Sequence, residues 1–290
     1  MSNTMHPVLA DVLQLLQLER IENNIYRGAS KDIGSPQVFG GQVLGQALAA
    51  AHQTVAPERC PHSLHAYFLR RGDVNAPIVY QVDNQRDGGS FSNRRVVAIQ
   101  HGAPILNLAA SFHKPETGFV HQTDMPAVAG PEGLRSTLEI NRSIIDQVPE
   151  KMRRFLAHEP PFEFRPVEPP HFLSDEPQAP RKHIWMRAID RLPDDAALHR
   201  TLLTYVSDYE LLGTAMLPHV VDFSRQQVIM ASLDHAMWFH HDARVDEWLL
   251  YAFDSPNAAA NRGYARGQIF TRDGLLLAST AQEGLIRVLA

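Results

Sequence analysis

Chemistry in this chain rests on a few residues whose types and spacing permit it. Cys60 is the single thiol of 290 residues, so a disulfide within the chain is excluded and a reducing compartment fits. Cys60-Pro61-His62 sits in a proline-rich connection with no helix start behind it, a poor setting for a thiolate nucleophile. A serine nucleophile on a strand-to-helix elbow needs G-x-S-x-G. Gly88-Gly89-Ser90-Phe91-Ser92 lacks the closing glycine and reads as a hairpin. Asp234, His235, His240, His241 and Asp242 are metal-ligating types. Strand alternation turns His235 away from Asp234, and the five- and six-residue spacings spread the histidines apart. They read as structural histidines of a polar rim, and no metal or cofactor is expected. Arg94, Arg95, Arg262 and Arg266 are candidates for phosphate groups, because guanidinium binds phosphate through two parallel hydrogen bonds. Gly263 and Gly267 beside Arg266 would let a ligand approach the backbone.

Bulk charge gives those arginines no support. The net charge is -5, without the basic excess that nucleic-acid binding usually leaves, so a polyanionic ligand needs a local arginine cluster. A hydrophobic content of 44% with 20% charged residues is that of an ordinary globular protein. No run reaches the length of a membrane helix. Val8, Leu9, Val12, Leu13, Leu15, Leu16 and Leu18 are interrupted by Asp11, Gln14 and Gln17, which reads as an amphipathic surface helix and not a signal peptide. Arg287-Val288-Leu289-Ala290 is not a peroxisomal address. A cytoplasmic protein without membrane insertion is expected.

The elements that must position any site fall into two similar halves. In the first, a helix begins near Phe39 and runs to about Val55. Gly41, Gly45 and Ala49 give it a small-residue face, fit for a sheet wrapped closely around it. Strands are expected at 63–68, 78–86, 91–100 and 105–113, with Asp87-Gly88-Gly89 and His101-Gly102 as turns. In the second half a helix is expected from His199 to about Met216, closed by Pro218, then strands at 227–239, 248–254, 261–271 and 275–287. Ser63-Leu64-His65-Ala66 resembles Ser232-Leu233-Asp234-His235-Ala236, and Tyr80 and Tyr251 follow at comparable spacing. The pattern is that of an internal duplication. Residues 1–114 form the first half, 115–180 a proline-rich linker and 181–290 the second half. Short helices at about 133–147 and 150–157 and strands at Phe162–Pro166 and Ile184–Arg187 complete the reading. The linker prolines exclude it from a central sheet.

Strings along nearly the whole chain resemble the type II acyl-CoA thioesterases. They are Gln37-Val38-Phe39-Gly40-Gly41-Gln42, His65-Ala66-Tyr67-Phe68-Leu69-Arg70 and Arg86-Asp87-Gly88-Gly89-Ser90-Phe91-Ser92 in the first half. In the second half they are Tyr205-Val206-Ser207-Asp208, Leu233-Asp234-His235-Ala236-Met237-Trp238-Phe239-His240 and Ala281-Gln282-Glu283-Gly284. The resemblance implies an α+β double hotdog, two tandem antiparallel sheet halves, each wrapped around a helix and joined into one sheet. It implies a catalytic set of Asp208 as general base, with Ser232 and Gln282 holding the attacking water. Serine stands where the family often carries threonine. It implies hydrolysis of fatty acyl-CoA to free acid and coenzyme A without an acyl-enzyme, the acyl chain lying between helix and sheet. Helix-start amides at Gly40 and Gly41, or amides around Asp208, are candidate oxyanion donors. Gln42 falls near the position matching Asp208, so one site per chain is expected. A hydratase of the same fold would pair an aspartate with a histidine five residues on, and position 213 is Gly213. The alternative is a non-catalytic acyl-CoA-binding sensor. A homodimer or homotetramer is expected, and no nucleic-acid partner.

Overall fold

The computed structural model describes residues 5–148, 150–169, 176–220 and 227–289. Its helices are α1 (Pro7–Leu16), α2 (Gly40–His52), α3 (Thr137–Ile144), α4 (Glu150–Leu156) and α5 (Ala196–Val206). The first-half strands are β1 (Glu19–Glu22), β2 (Ile25–Gly28), β3 (Cys60–Phe68), β4 (Ile78–Asp87), β5 (Phe91–Gln100) and β6 (Ala103–His113). Those that follow are β7 (Phe162–Pro166), β8 (Arg181–Ala188), β9 (Gln227–Ser232), β10 (Asp234–Phe239), β11 (Leu249–Ala259), β12 (Arg262–Thr271) and β13 (Leu276–Leu289).

All these strands form one antiparallel sheet that reads alike in both directions from its centre. β3 pairs with β10, and outward lie β6, β5, β4, β2 and β1 on one side, β13, β12, β11, β8 and β7 on the other. The duplication therefore spans six strands per half, with β9 as an addition paired to the far end of β13. Registers repeat as well: Tyr80 lies opposite Ala98, and Tyr251 opposite Ile269. The string match of His65 with His235 is one residue out of step, because His65 faces solvent while His235 is buried. On the outer face of the junction His65 and Trp238 meet edge to face at 5.2 Å.

The inner face carries the core, against which α2 and α5 pack. Gly41 and Gly45 do not face the sheet as expected. A Cβ on Gly41 would collide with the Tyr205 carbonyl, and one on Gly45 would lie 3.4 Å from the Thr201 carbonyl. The small face thus serves the antiparallel crossing of α2 on α5. α1 buries Leu9, Val12, Leu15 and Leu16 beside it.

Several expectations change in detail. The second helix ends at Val206, and residues 212–216 form a separate 3₁₀ turn. Glu210, at φ 66°, marks the reversal between them. The long strand expected over 227–239 breaks at Leu233 into β9 and β10. The β1–β2 hairpin has no counterpart in the sequence reading, since Glu19–Glu22 is exposed throughout and shows no alternation. Within the proline-rich stretch, β7 forms an edge strand that ends on Pro166, where a missing N–H is tolerated. The same stretch covers the outer face of the second half. Trp185, Leu250, Phe270 and Leu276 pack there with Met125, Val128 and Leu134, and Trp185 Nε1 donates to the Ala129 carbonyl at 2.7 Å.

Candidate active site

α2 begins at Gly40 after Phe39, whose side chain offers no cap. Its unsatisfied amides attract an anion, and that anion comes from the other half. Asp208 lies just beyond α5, not on a helix, and its carboxylate accepts the Gly41 amide hydrogen bond. A Cβ at Gly40 would stand 2.6 Å from Asp208 Oδ2, so glycine there leaves room for the carboxylate.

Gln282 of β13 donates from Nε2 to Asp208 Oδ1 at 2.7 Å. The Asp208 side chain is 6% exposed. Burial pushes its carboxyl up to about 6, against the opposing pull of the Gln282 and Gly41 hydrogen bonds. Asp208 and Ser232, together with Gly40, line one cleft of about 450 Å³. Its apolar walls include Val38, Phe39, Phe68, Phe155, Leu212 and Met230. Arg70 and Arg71 stand on the same cleft and are exposed. The structure thus brings Asp208 and Gln282 into contact and places Ser232 and Gly40 on the cleft with Asp208. The Gly41 amide is already committed to Asp208, which leaves Gly40 as the helix-start donor.

The four arginines first considered for phosphate lie elsewhere. Arg94 is a correction: it is 2% exposed, and its guanidinium is spent inside the protein. Nε donates to Thr54 Oγ1, one terminal nitrogen to the Arg86 and Asn93 carbonyls, and the other to the Thr54 carbonyl and Asp87. All five donors are used, and none remains for a phosphate. Arg95 is exposed on β5. Arg262 pairs with Glu283 at 2.9 Å and Arg266 with Asp254 at 2.5 Å, both on the sheet surface. None of the four lines the cleft.

His235 and Ser207 belong to the site and escaped the sequence reading. His235 is wholly buried and not part of a polar rim; its Nε2 lies 2.9 Å from Ser207 Oγ and its Nδ1 3.3 Å from Gln282 Nε2. Burial drives its pKa down to about 3, so it is neutral and its 3.8 Å approach to Asp208 is not an ion pair. The adjacency of Ser207 to Asp208 was the available signal. His240 and His241 bind Ser279 and the Leu276 carbonyl. Among the described residues no three metal-ligating side chains converge.

Among the described residues, the first half repeats the framework without a second cluster of carboxylate, imidazole and amide. The crossing sets Gly41 against Tyr205 and Gly45 against Thr201, contacts that exchange when Gly41 maps to Thr201 and Gly45 to Tyr205. Taking the two contacts as symmetry mates matches Leu48 with Asp208. Leu64 lies opposite Ala110 as His235 lies beside Gln282, one step beyond the Ala236–Ala281 pair. Leu48, Leu64 and Ala110 are all buried. Gln42 and Gln46 bind the Ala29 carbonyl instead.

The sequence pattern described as acyl-CoA thioesterase matches residues 158–285, and that described as acyl-CoA thioesterase N-terminal domain matches residues 28–113. The chain is 41% identical over 283 residues to acyl-CoA thioesterase 2 of Haemophilus influenzae, covering 98% of this chain and 99% of that protein. The crystal structure of acyl-CoA thioesterase II TesB2 from Mycobacterium marinum superposes with a TM-score of 0.78 at 40% identity, covering 97% and 98% of the two chains. A protein of unknown function with a hot dog fold from Alicyclobacillus acidocaldarius gives a TM-score of 0.75 at 20% identity over 97% and 99%, a likeness of fold alone. The palindromic sheet is thus a double hotdog, and this chain belongs to the type II acyl-CoA thioesterase family.

Proposed function

We propose that this acyl-CoA thioester hydrolase cleaves fatty acyl-CoA by direct attack of water activated by Asp208. One observation carries the reading: a carboxylate on the cleft is held by the Gln282 amide and a helix-start N–H, in a site whose burial pushes its pKa up to about 6. A base tuned close to its working pH combines ionisation with proton affinity.

The thioester carbonyl enters between the apolar walls, with its oxygen toward the Gly40 amide. Asp208 takes one proton from the water as its oxygen bonds to the carbonyl carbon. Ser232 and the Gln282 amide oxygen hold the water; Gln282 Oε1 is buried without a protein partner among the described residues. When the tetrahedral intermediate collapses, the carbon–sulfur bond breaks and the leaving thiolate takes up from Asp208 the proton that came from the water. The products are the free acid and the coenzyme thiol, with no acyl-enzyme and no metal or cofactor. Arg70 and Arg71 at the cleft are better placed than the four surface or buried arginines to meet the coenzyme phosphates. Self-association into a homodimer or homotetramer belongs to the same reading. Tyr67 and Trp238, 63% and 36% exposed on the outer sheet face, are the surface it would use. A cytoplasmic location belongs to it too; no described helix is long and apolar enough to cross a membrane.

The test is thiol release from acyl-CoAs of graded chain length. Asp208→Asn is expected to lower kcat by about 10³-fold, and Gln282→Ala and Ser232→Ala by about 10²-fold each. For the wild type, kcat/KM should fall as pH drops through about 6. Turnover undiminished in Asp208→Asn would remove Asp208 from the mechanism. Tight acyl-CoA binding with no wild-type turnover would favour a sensor.

A further inference from the structure

We infer that His235 is a positioning residue: held as its Nε2–H tautomer by Ser207, it fixes the orientation of the Gln282 amide and thereby frees Oε1 for the water. This inference rests on the role proposed above for Gln282, but its direct test does not.

The polarity of the chain of hydrogen bonds is set from both ends. Ser207 Oγ lies 2.9 Å from the Thr204 carbonyl, which can only accept, so the hydroxyl proton is committed there. His235 Nε2, at 2.9 Å from the same Oγ, must then donate to it. A neutral imidazole has one N–H, so Nδ1 is bare and accepts. Nδ1 faces the Gln282 amide nitrogen at 3.3 Å. From the other side, the ionised Asp208 oxygen at 2.7 Å also demands an N–H from Gln282. Both neighbours therefore call for the NH2 group, and the amide oxygen is the group left over. That oxygen is buried and has no hydrogen-bond partner among the described residues.

Without His235 only Asp208 restrains the amide. In the reversed orientation the Gln282 oxygen would face the Asp208 oxygen, which is acceptable only when Asp208 is protonated. Loss of the relay should therefore move the acid limb of the pH profile upward. The titratable groups that act on Asp208 are Tyr209, just beyond α5, and Tyr251 on β11, both held neutral by burial, while the charged Arg70 and Arg71 on the same cleft are exposed to solvent. The two tyrosines supply no competing charge.

The direct experiment is nitrogen-15 NMR of the full-length protein labelled at histidine, with His235 assigned by its absence in His235→Asn. A bare Nδ1 and protonated Nε2 near neutral pH are expected. A protonated Nδ1 would overturn the relay whatever the activity shows. The kinetic arm compares three folded variants. His235→Asn keeps an acceptor at the place of Nδ1, and is expected to retain turnover within about 10-fold with an unmoved acid limb. His235→Leu and His235→Gln lack that acceptor and are expected to lose about 10²-fold in kcat with the limb displaced to higher pH. Equal losses in all three with unmoved limbs would mean that His235 only fills space. Full activity in Asp208→Asn would instead sink the base assignment and leave the tautomer result standing.

Discussion

A carboxyl whose pKa burial raises from 3.8 to about 6 leaves the fold more stable with that group protonated than with it ionised. For Asp208 the ionised form costs the folded state on the order of 3 kcal/mol above pH 6. The folded chain holds the extra proton between those two values, so this cost fades as pH falls through 6 and is gone below 3.8. Asp208→Asn, slowed about 10³-fold under the proposed mechanism, should therefore be more stable than wild type at pH 8, by about 1–3 kcal/mol in urea unfolding. The gain should vanish at pH 4, and equal stability at both would mean that the carboxylate is better solvated than its burial implies. His235 acts with the opposite sign: its depressed pKa makes it a source of acid instability as pH drops below 6.5. Both terms are invisible in the sequence. Asp208 and Gln282 could be picked out by the strings around them, but Arg94 looked like a surface cation until five protein acceptors closed on it.

At the scale of elements the site depends on how closely α2 approaches α5. Gly41→Ala would drive a methyl into the Tyr205 carbonyl and the Phe39 ring, in the first turn of the helix whose start Asp208 caps. We expect a loss of about 1–3 kcal/mol in stability and a larger proportional loss in kcat/KM. Gly45→Ala meets Leu16 Cδ2 at 3.1 Å and the Thr201 carbonyl at 3.4 Å, and adds helix propensity. It should be near neutral in both assays, and equal damage from the two would show that the crossing does not set the site. Glycine spacing made this close approach legible, but not its partner, because a small face suits a sheet as well as a helix. The helix end at Val206 was hidden for a related reason. No Gly or Pro follows within the next six residues, and burial of Leu211 and Leu212 turns the chain against local propensity. The strands were readable where Gly-containing turns separated them, and not in β1, where no side chain is buried.

The molecule as a whole is a near-symmetric frame in which the cluster of Asp208, His235 and Gln282 comes from one half. Where the second half places Asp208, His235 and Gln282, the first places Leu48, Leu64 and Ala110 in a dry core. Substitutions at matched positions should therefore act in opposite senses. Leu48→Asn buries an amide among apolar neighbours and should cost about 2–4 kcal/mol while leaving kcat of the folded enzyme unchanged, in contrast to Asp208→Asn. A folded Leu48→Asn enzyme with kcat lowered as far as Asp208→Asn would show that Leu48 does more than pack the core. The edge-to-face contact of Trp238 with His65 has a separate use. Every tryptophan of the chain, Trp185, Trp238 and Trp248, comes from the second half, so indole fluorescence senses the first half only where Trp238 meets β3. Trp238 is placed on the seam itself, and a variant that keeps only this indole would convert the parting of the halves into an optical signal.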